Sequence, residues 1–250
     1  MISAFIHKFS SPKSYVRLTE KLYPFFIVLG VSLLTLGWIW GLLFAPQDAV
    51  QGNSYRIIFL HVPSVIFAEL IYFFMAICAL MHLVWRVKLA AYLIKAAAPI
   101  GAMITFLGLF SGSIWGIPTW GTWWQWDGRM TSVLILFFIY IGYLTVWSVI
   151  PERKKAARLA SIIAMVGFIN IPIIKFSVDW WNTLHQPASI SSVGSPGLPL
   201  EILTPLLLMT LSYSLFFIWL VIKGIEKDIT KMSMQNRKNK PQAFTEVEGI

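Results

Sequence analysis

The stretch LHVPSVIFAELIYFFMAICALMHLVW, residues 60–85, is apolar almost throughout, with Glu69 its one acid and no lysine or arginine. At about 1.5 Å of rise per helical residue it exceeds the roughly 30 Å of a bilayer's hydrocarbon core. It lacks the period-two alternation of a barrel strand, so it reads as a membrane-spanning helix. The same criteria pick out five further stretches, at about 22–45, 92–114, 130–150, 157–175 and 199–222. The predicted fold class is all-α, a polytopic integral membrane protein with six transmembrane helices. Composition agrees. The 250 residues are 57% hydrophobic and 12% charged, with a mean hydropathy of +0.71, more apolar surface than a soluble domain of this size can hide. Cys78 is the single cysteine, which excludes an intramolecular disulfide or a thiolate cluster and leaves a role as core filler.

Six spans put both termini on one side. With the termini cytoplasmic, seventeen of the twenty basic residues lie inside and only Arg56, Arg129 and Lys175 outside, as the positive-inside rule requires. The net charge of +9 thus needs no nucleic-acid partner, because it is spread over four inner segments instead of one stripe. Residues 1–20 are too polar for a cleaved signal peptide and read as a retained cytoplasmic tail. Residues 1–227 form the six-helix unit, and the polar, basic stretch 228–250 is expected to be a disordered cytoplasmic tail. The outer face then consists of residues 46–59, 115–129 and 176–198.

Tryptophan is concentrated on that face. Trp38, Trp40, Trp115, Trp120, Trp123, Trp124, Trp126, Trp180 and Trp181 lie at or beyond the outer ends of spans, against Trp85, Trp147 and Trp219 near the inner side. An aromatic belt would be two-sided. Within 115–129, Gly116, Pro118 and Gly121 predict an irregular segment, and aromatic faces displayed on one suit a flat apolar ligand.

Histidines divide by side as well. His7 and His82 fall inside, whereas His61 and His185 flank the tryptophans outside, where each reads as a structural histidine or as a metal ligand. A closed zinc site wants four N or S ligands, but a macrocycle carrying its own iron needs only one or two axial imidazoles. For Arg56 and Arg129 two readings stand, snorkelling at the interface or pairing with the carboxylates of such a macrocycle. Asp127 occupies the expected N-cap of the fourth span. Glu69 would lie about 12 Å deeper than His61, a costly place for an acid and therefore a functional hypothesis.

The segment WGIPTWGTWWQWDGRMTS (115–132), with APQDAVQGNSYRIIFLHVPS (45–64) and NIPIIKFSVDWWNTLHQ (170–186), resembles the WWD family of haem-handling proteins of cytochrome c maturation, in its six-span CcmC branch. The resemblance covers most of residues 30–190. It implies a protein of the bacterial inner membrane whose WWD loop, between helices 3 and 4, faces the periplasm and carries haem b as transient cargo. It also implies that His61 and His185 are axial ligands of the haem iron. Around them it places Trp115, Trp120, Trp123, Trp124 and Trp126 as the floor of the site, with Asp127, Arg129 and Arg56 beside it.

The expected function is delivery of haem to the chaperone CcmE, in association with CcmA, CcmB and CcmD, without enzymatic turnover. The chain departs from the pattern at Gly128 and Met130, where Ala and Leu are usual, and at Lys175 and Asp179, where His and Glu often occur. Two other classes are weighed against this one. A membrane cytochrome b would transfer electrons from quinol, and a small-solute permease would use the outer loops only as a vestibule.

Overall fold

A computed structural model of the chain describes residues 12–181, 183–185 and 198–238. Among them no β-strand forms, and six helical stretches are long and apolar enough to cross a membrane. The chain is a multi-pass membrane protein. Helix α1 (Pro12–Ile39) ends in a wide π turn over Trp40–Phe44, and a 3-10 turn (Asn53–Ile57) leads into α2 (Ile58–Trp85). Helices α3 (Lys88–Trp120) and α4 (Gly128–Val149) are the third and fourth crossings. The fifth is divided between α5 (Arg153–Gly167) and α6 (Asn170–Trp180), and α7 (Leu200–Lys238) is the sixth.

The break in the fifth crossing has a local cause. Inside a continuous helix the ring of Pro172 would collide with the carbonyl of Phe168, four residues earlier. The chain turns at Phe168 and Ile169 instead, and Pro172 falls in the first turn of α6, where a proline is tolerated. Asn170 fixes this joint, its Nδ2 donating to the Ser132 carbonyl of α4 at 2.8 Å.

α2 is the central helix. Its Phe67, Ile71, Tyr72 and Met75 are buried with Ile94 of α3 and with Leu136 and Tyr140 of α4. The Tyr140 hydroxyl donates to the Ala68 carbonyl at 3.0 Å, which satisfies a polar group that hydrocarbon could not. Phe25, Val28, Leu36, Phe106, Phe110 and Phe138 remain exposed, as side chains turned to lipid do. Cys78 is free and buried.

Three helix limits differ from the sequence reading. α1 begins at Pro12, inside the stretch read as a polar tail, with the proline at its first position. α3 continues to Trp120, through both Gly116 and Pro118. Pro118 stands close enough to the helix end that it removes one hydrogen bond without splitting the helix. The helix stops at Gly121, whose φ of +74° makes a left-handed C-cap with its N–H on the Ile117 carbonyl.

The third difference is at the other terminus. α7 runs helical to Lys238, so the boundary at residue 228 does not mark the onset of disorder. Ile225 is buried and Ile229 packs on the core, the Tyr92 hydroxyl reaches the Met232 sulfur at 3.3 Å, and Asp228 pairs with Lys95 at 2.8 Å and Arg153 at 3.7 Å. These contacts hold what hydropathy alone would release. Residues 1–11, which include His7, and residues 239–250 of the tail lie outside the described residues.

Candidate functional site

The start of α2, the end of α3, the start of α4, α6 and the segment 183–185 enclose a cavity of about 620 Å³, lined by both His61 and His185. That volume falls within the range of roughly 300–1,000 Å³ usual for small-ligand sites. His61 is held by α3: its Nδ1 faces the Gly108 carbonyl at 3.1 Å and the Ser111 hydroxyl at 3.2 Å. A carbonyl oxygen only accepts, and the Ser111 hydroxyl spends its own proton on the Leu107 carbonyl at 2.7 Å. Nδ1 must therefore carry the hydrogen, which leaves Nε2 with a bare lone pair. The approach of α3 to the ring is close. A Cβ at Gly112 would meet His61 Cε1 at 2.8 Å, so any larger residue there would displace the ring.

His185 is held in the same sense by a carboxylate. Its Nδ1 donates to Asp127 Oδ2 at 2.7 Å, and the Thr183 hydroxyl donates to the same oxygen. Asp127 Oδ1 accepts the Met130 N–H at 2.7 Å, which makes Asp127 the N-cap of α4 that the sequence predicts. Its second role, orienting an imidazole, was not legible. Burial works against ionisation of Asp127. The hydrogen bonds from His185, Thr183 and the Met130 N–H outweigh it and hold the carboxyl at about 2, against an ordinary 3.8. An ionised Asp127 can only accept, so His185 also keeps a proton on Nδ1, and its neutral form presents Nε2 as a lone pair. Metal-ligating histidines are commonly oriented in this way by a partner on the other nitrogen.

The tryptophans divide into two groups. Trp115 and Trp120 line the cavity, each edge-on to one histidine: Trp115 to His61 at 5.6 Å between centroids, Trp120 to His185 at 4.6 Å. Trp115 is fixed in turn by its indole N–H on Gln51 Oε1 at 2.8 Å and by the edge of Tyr55. Trp123 and Trp124 line a separate apolar groove of about 450 Å³ with Phe106, Phe110 and Ile117, and Trp126 is 75% exposed, edge-on to Trp124. The five loop tryptophans thus do not form one floor. Continuation of α3 to Trp120 is the reason: it carries Trp115 and Trp120 on a helix and leaves the others on the loop beyond Gly121.

The arginines separate as well. Arg56 donates through Nη1 to the Leu42 carbonyl and through Nη2 to the Ala45 carbonyl at 2.9 Å, where the π turn ends α1. It caps a helix and is not among the cavity residues. Arg129 does line the cavity, and so does Lys175 of α6, which the sequence reading counted as an outer charge and as a departure from the family's usual His. Glu69 is half-buried deeper in α2, and the charges of Lys175 and Arg129 act on it. His82 is remote, with Nδ1 on the Val87 carbonyl at 3.3 Å.

Sequence reasoning missed Gln51, Tyr55, Ser111, Thr183 and Lys175. Only Lys175 carried a signal, a cation inside an otherwise apolar span. Among the described residues no group of three or more His, Cys, Asp or Glu side chains gathers to hold a bare metal ion. The cavity instead offers two imidazole lone pairs, aromatic edges and two cations.

The family model described as heme exporter protein C matches residues 5–240. The heme exporter protein C of Haemophilus influenzae is 44% identical over 226 residues, 90% of this chain and 92% of that one. The Escherichia coli protein of the same name is 48% identical over 181 residues, 72% of this chain and 74% of that one. That of Paracoccus denitrificans is 36% identical over 227 residues, 90% and 94% of the two chains. With a match that spans nearly its whole length, the chain belongs to the heme exporter protein C family.

Proposed function

We propose that this protein binds haem b as cargo in the cavity between His61 and His185 and presents it for cytochrome c maturation. One observation carries the reading: two imidazoles on one cavity, each with Nδ1 committed to an acceptor and Nε2 bare. An iron inside a planar macrocycle needs two such nitrogens and nothing more from the protein. Trp115 and Trp120 stand edge-on to the imidazoles and limit their rotation. No side chain is called on to make or break a bond of the cargo, so the activity is delivery, not turnover.

The recipient we propose is the haem chaperone CcmE, with CcmA, CcmB and CcmD as associated subunits. The membrane is the bacterial inner membrane, with the cavity on the periplasmic side. Charge supports that orientation: the cavity lies at the opposite end of α2 and α3 from Arg86 and Lys88, and most basic residues belong to the far end.

The test is spectroscopic. Purified protein loaded with ferric haem is expected to give the spectrum of a bis-imidazole complex. His61→Ala or His185→Ala should convert it to a mixed form that added imidazole restores. The double variant should lose it. An unchanged spectrum in the double variant would overturn the assignment.

A further inference from the structure

We propose that Lys175 and Arg129 form a paired cationic subsite that binds the two carboxylates of the porphyrin. This rests on the reading of the cavity as a haem site. The sequence suggested Arg56 as the partner of Arg129, but Arg56 does not line the cavity, and with both terminal nitrogens on backbone carbonyls it keeps only a buried Nε without a partner. Lys175 takes the vacated role. It sits in α6 within IPIIKFSV, where a lysine facing hydrocarbon would be costly, and it lines the cavity.

Neither cation is neutralised at contact distance. The ion pairs among the described residues join Lys95, Arg153, Lys155, Lys223 and His185 to acids, and leave Arg129 and Lys175 out. Arg129 shows a further deficit. Its Nε is buried without a hydrogen-bond partner, and its Nη2 reaches only the Lys175 carbonyl, at 3.5 Å. A guanidinium with an unused buried donor beside a lysine on an adjacent helix is the donor set that carboxylates complete. Glu69 acts on both cations from deeper in the bundle, and Asp127 and Asp179 act on Arg129, none of them forming an ion pair with either cation. The subsite also gives the flat ligand a direction, its acidic edge toward α4 and α6.

The experiment compares ferric haem with its dimethyl ester, which has the same ring and iron but no free carboxylates. Both are titrated into the full-length protein in detergent and followed by Soret absorbance. The unaltered protein should bind the diacid about a hundredfold more tightly than the diester, about tenfold for each of two charge-assisted contacts. Lys175→Gln should weaken diacid binding about tenfold and leave the diester unchanged, and Lys175→Arg should keep most of the preference. A snorkelling lysine would not distinguish the two ligands. Equal loss of both in Lys175→Gln, or unchanged diacid affinity, overturns the subsite. If both ligands give the bis-imidazole spectrum and only the preference is missing, this inference falls and the haem reading stands. If the unaltered protein binds neither, both fall.

Discussion

Asp127 divides its oxygens between a helix and an imidazole, with Oδ1 on the Met130 N–H and Oδ2 on Thr183 and His185. Asp127→Asn keeps an N-capping oxygen but loses the charge that fixes the His185 tautomer. It should cost about 2 kcal/mol of stability at neutral pH and markedly weaken the bis-imidazole band. Its depressed pKa also sets a pH dependence. The contribution to stability is complete above the ordinary 3.8 and is lost as pH falls towards about 2. Thermal melts should show a loss of stability between about pH 4 and pH 2 that Asp127→Asn lacks; equal slopes in the two proteins would refute it. Across the cavity, Gly112→Ala would push a methyl group against His61 Cε1. The expected result is a folded protein whose haem spectrum is that of His61→Ala.

At the scale of elements, the end of α3 sorts the tryptophans. Trp115 and Trp120 precede the left-handed cap at Gly121 and reach the histidines; Trp123, Trp124 and Trp126 follow it and do not line the cavity. Trp120→Leu should therefore weaken haem binding several-fold, whereas Trp126→Leu should leave the affinity unchanged. Equal losses would mean that the loop acts as one surface.

The sequence made the existence of the spans legible, because hydropathy over about 20 residues is a local property. It also grouped His61 with His185, through charge bias and span parity, and both line one cavity. What it left hidden was set by contacts distant along the chain: the capture of Arg56 by Leu42 and Ala45, the hold of Gly108 on His61, and the passage of α3 through Pro118. A proline and two glycines look like a loop until the partners that tolerate them are known.

At the scale of the molecule, the histidine cavity and the Asp228 cluster occupy opposite ends of the bundle. Asp228 ties α7 to α3 through Lys95 and to α5 through Arg153. Asp228→Asn should lower stability by about 1 kcal/mol, a discounted value for a partly exposed cluster, without altering the haem spectrum. A spectral change there would show that the two ends are coupled. The extent of α7 was the poorest guess from sequence, since its polar face hides the few contacts that keep it helical.

The placement of the two histidines also bears on how the protein is made. His61 emerges at the start of the second span, and His185 only after the fifth crossing, in the segment that leads to α7. Chains are synthesised and begin to fold from the N-terminus, so a partly inserted chain holds one imidazole and no closed cavity. On the proposed reading the capacity to grip haem is acquired late in biogenesis, and a translation product truncated before the fifth crossing is complete should fail to sequester it.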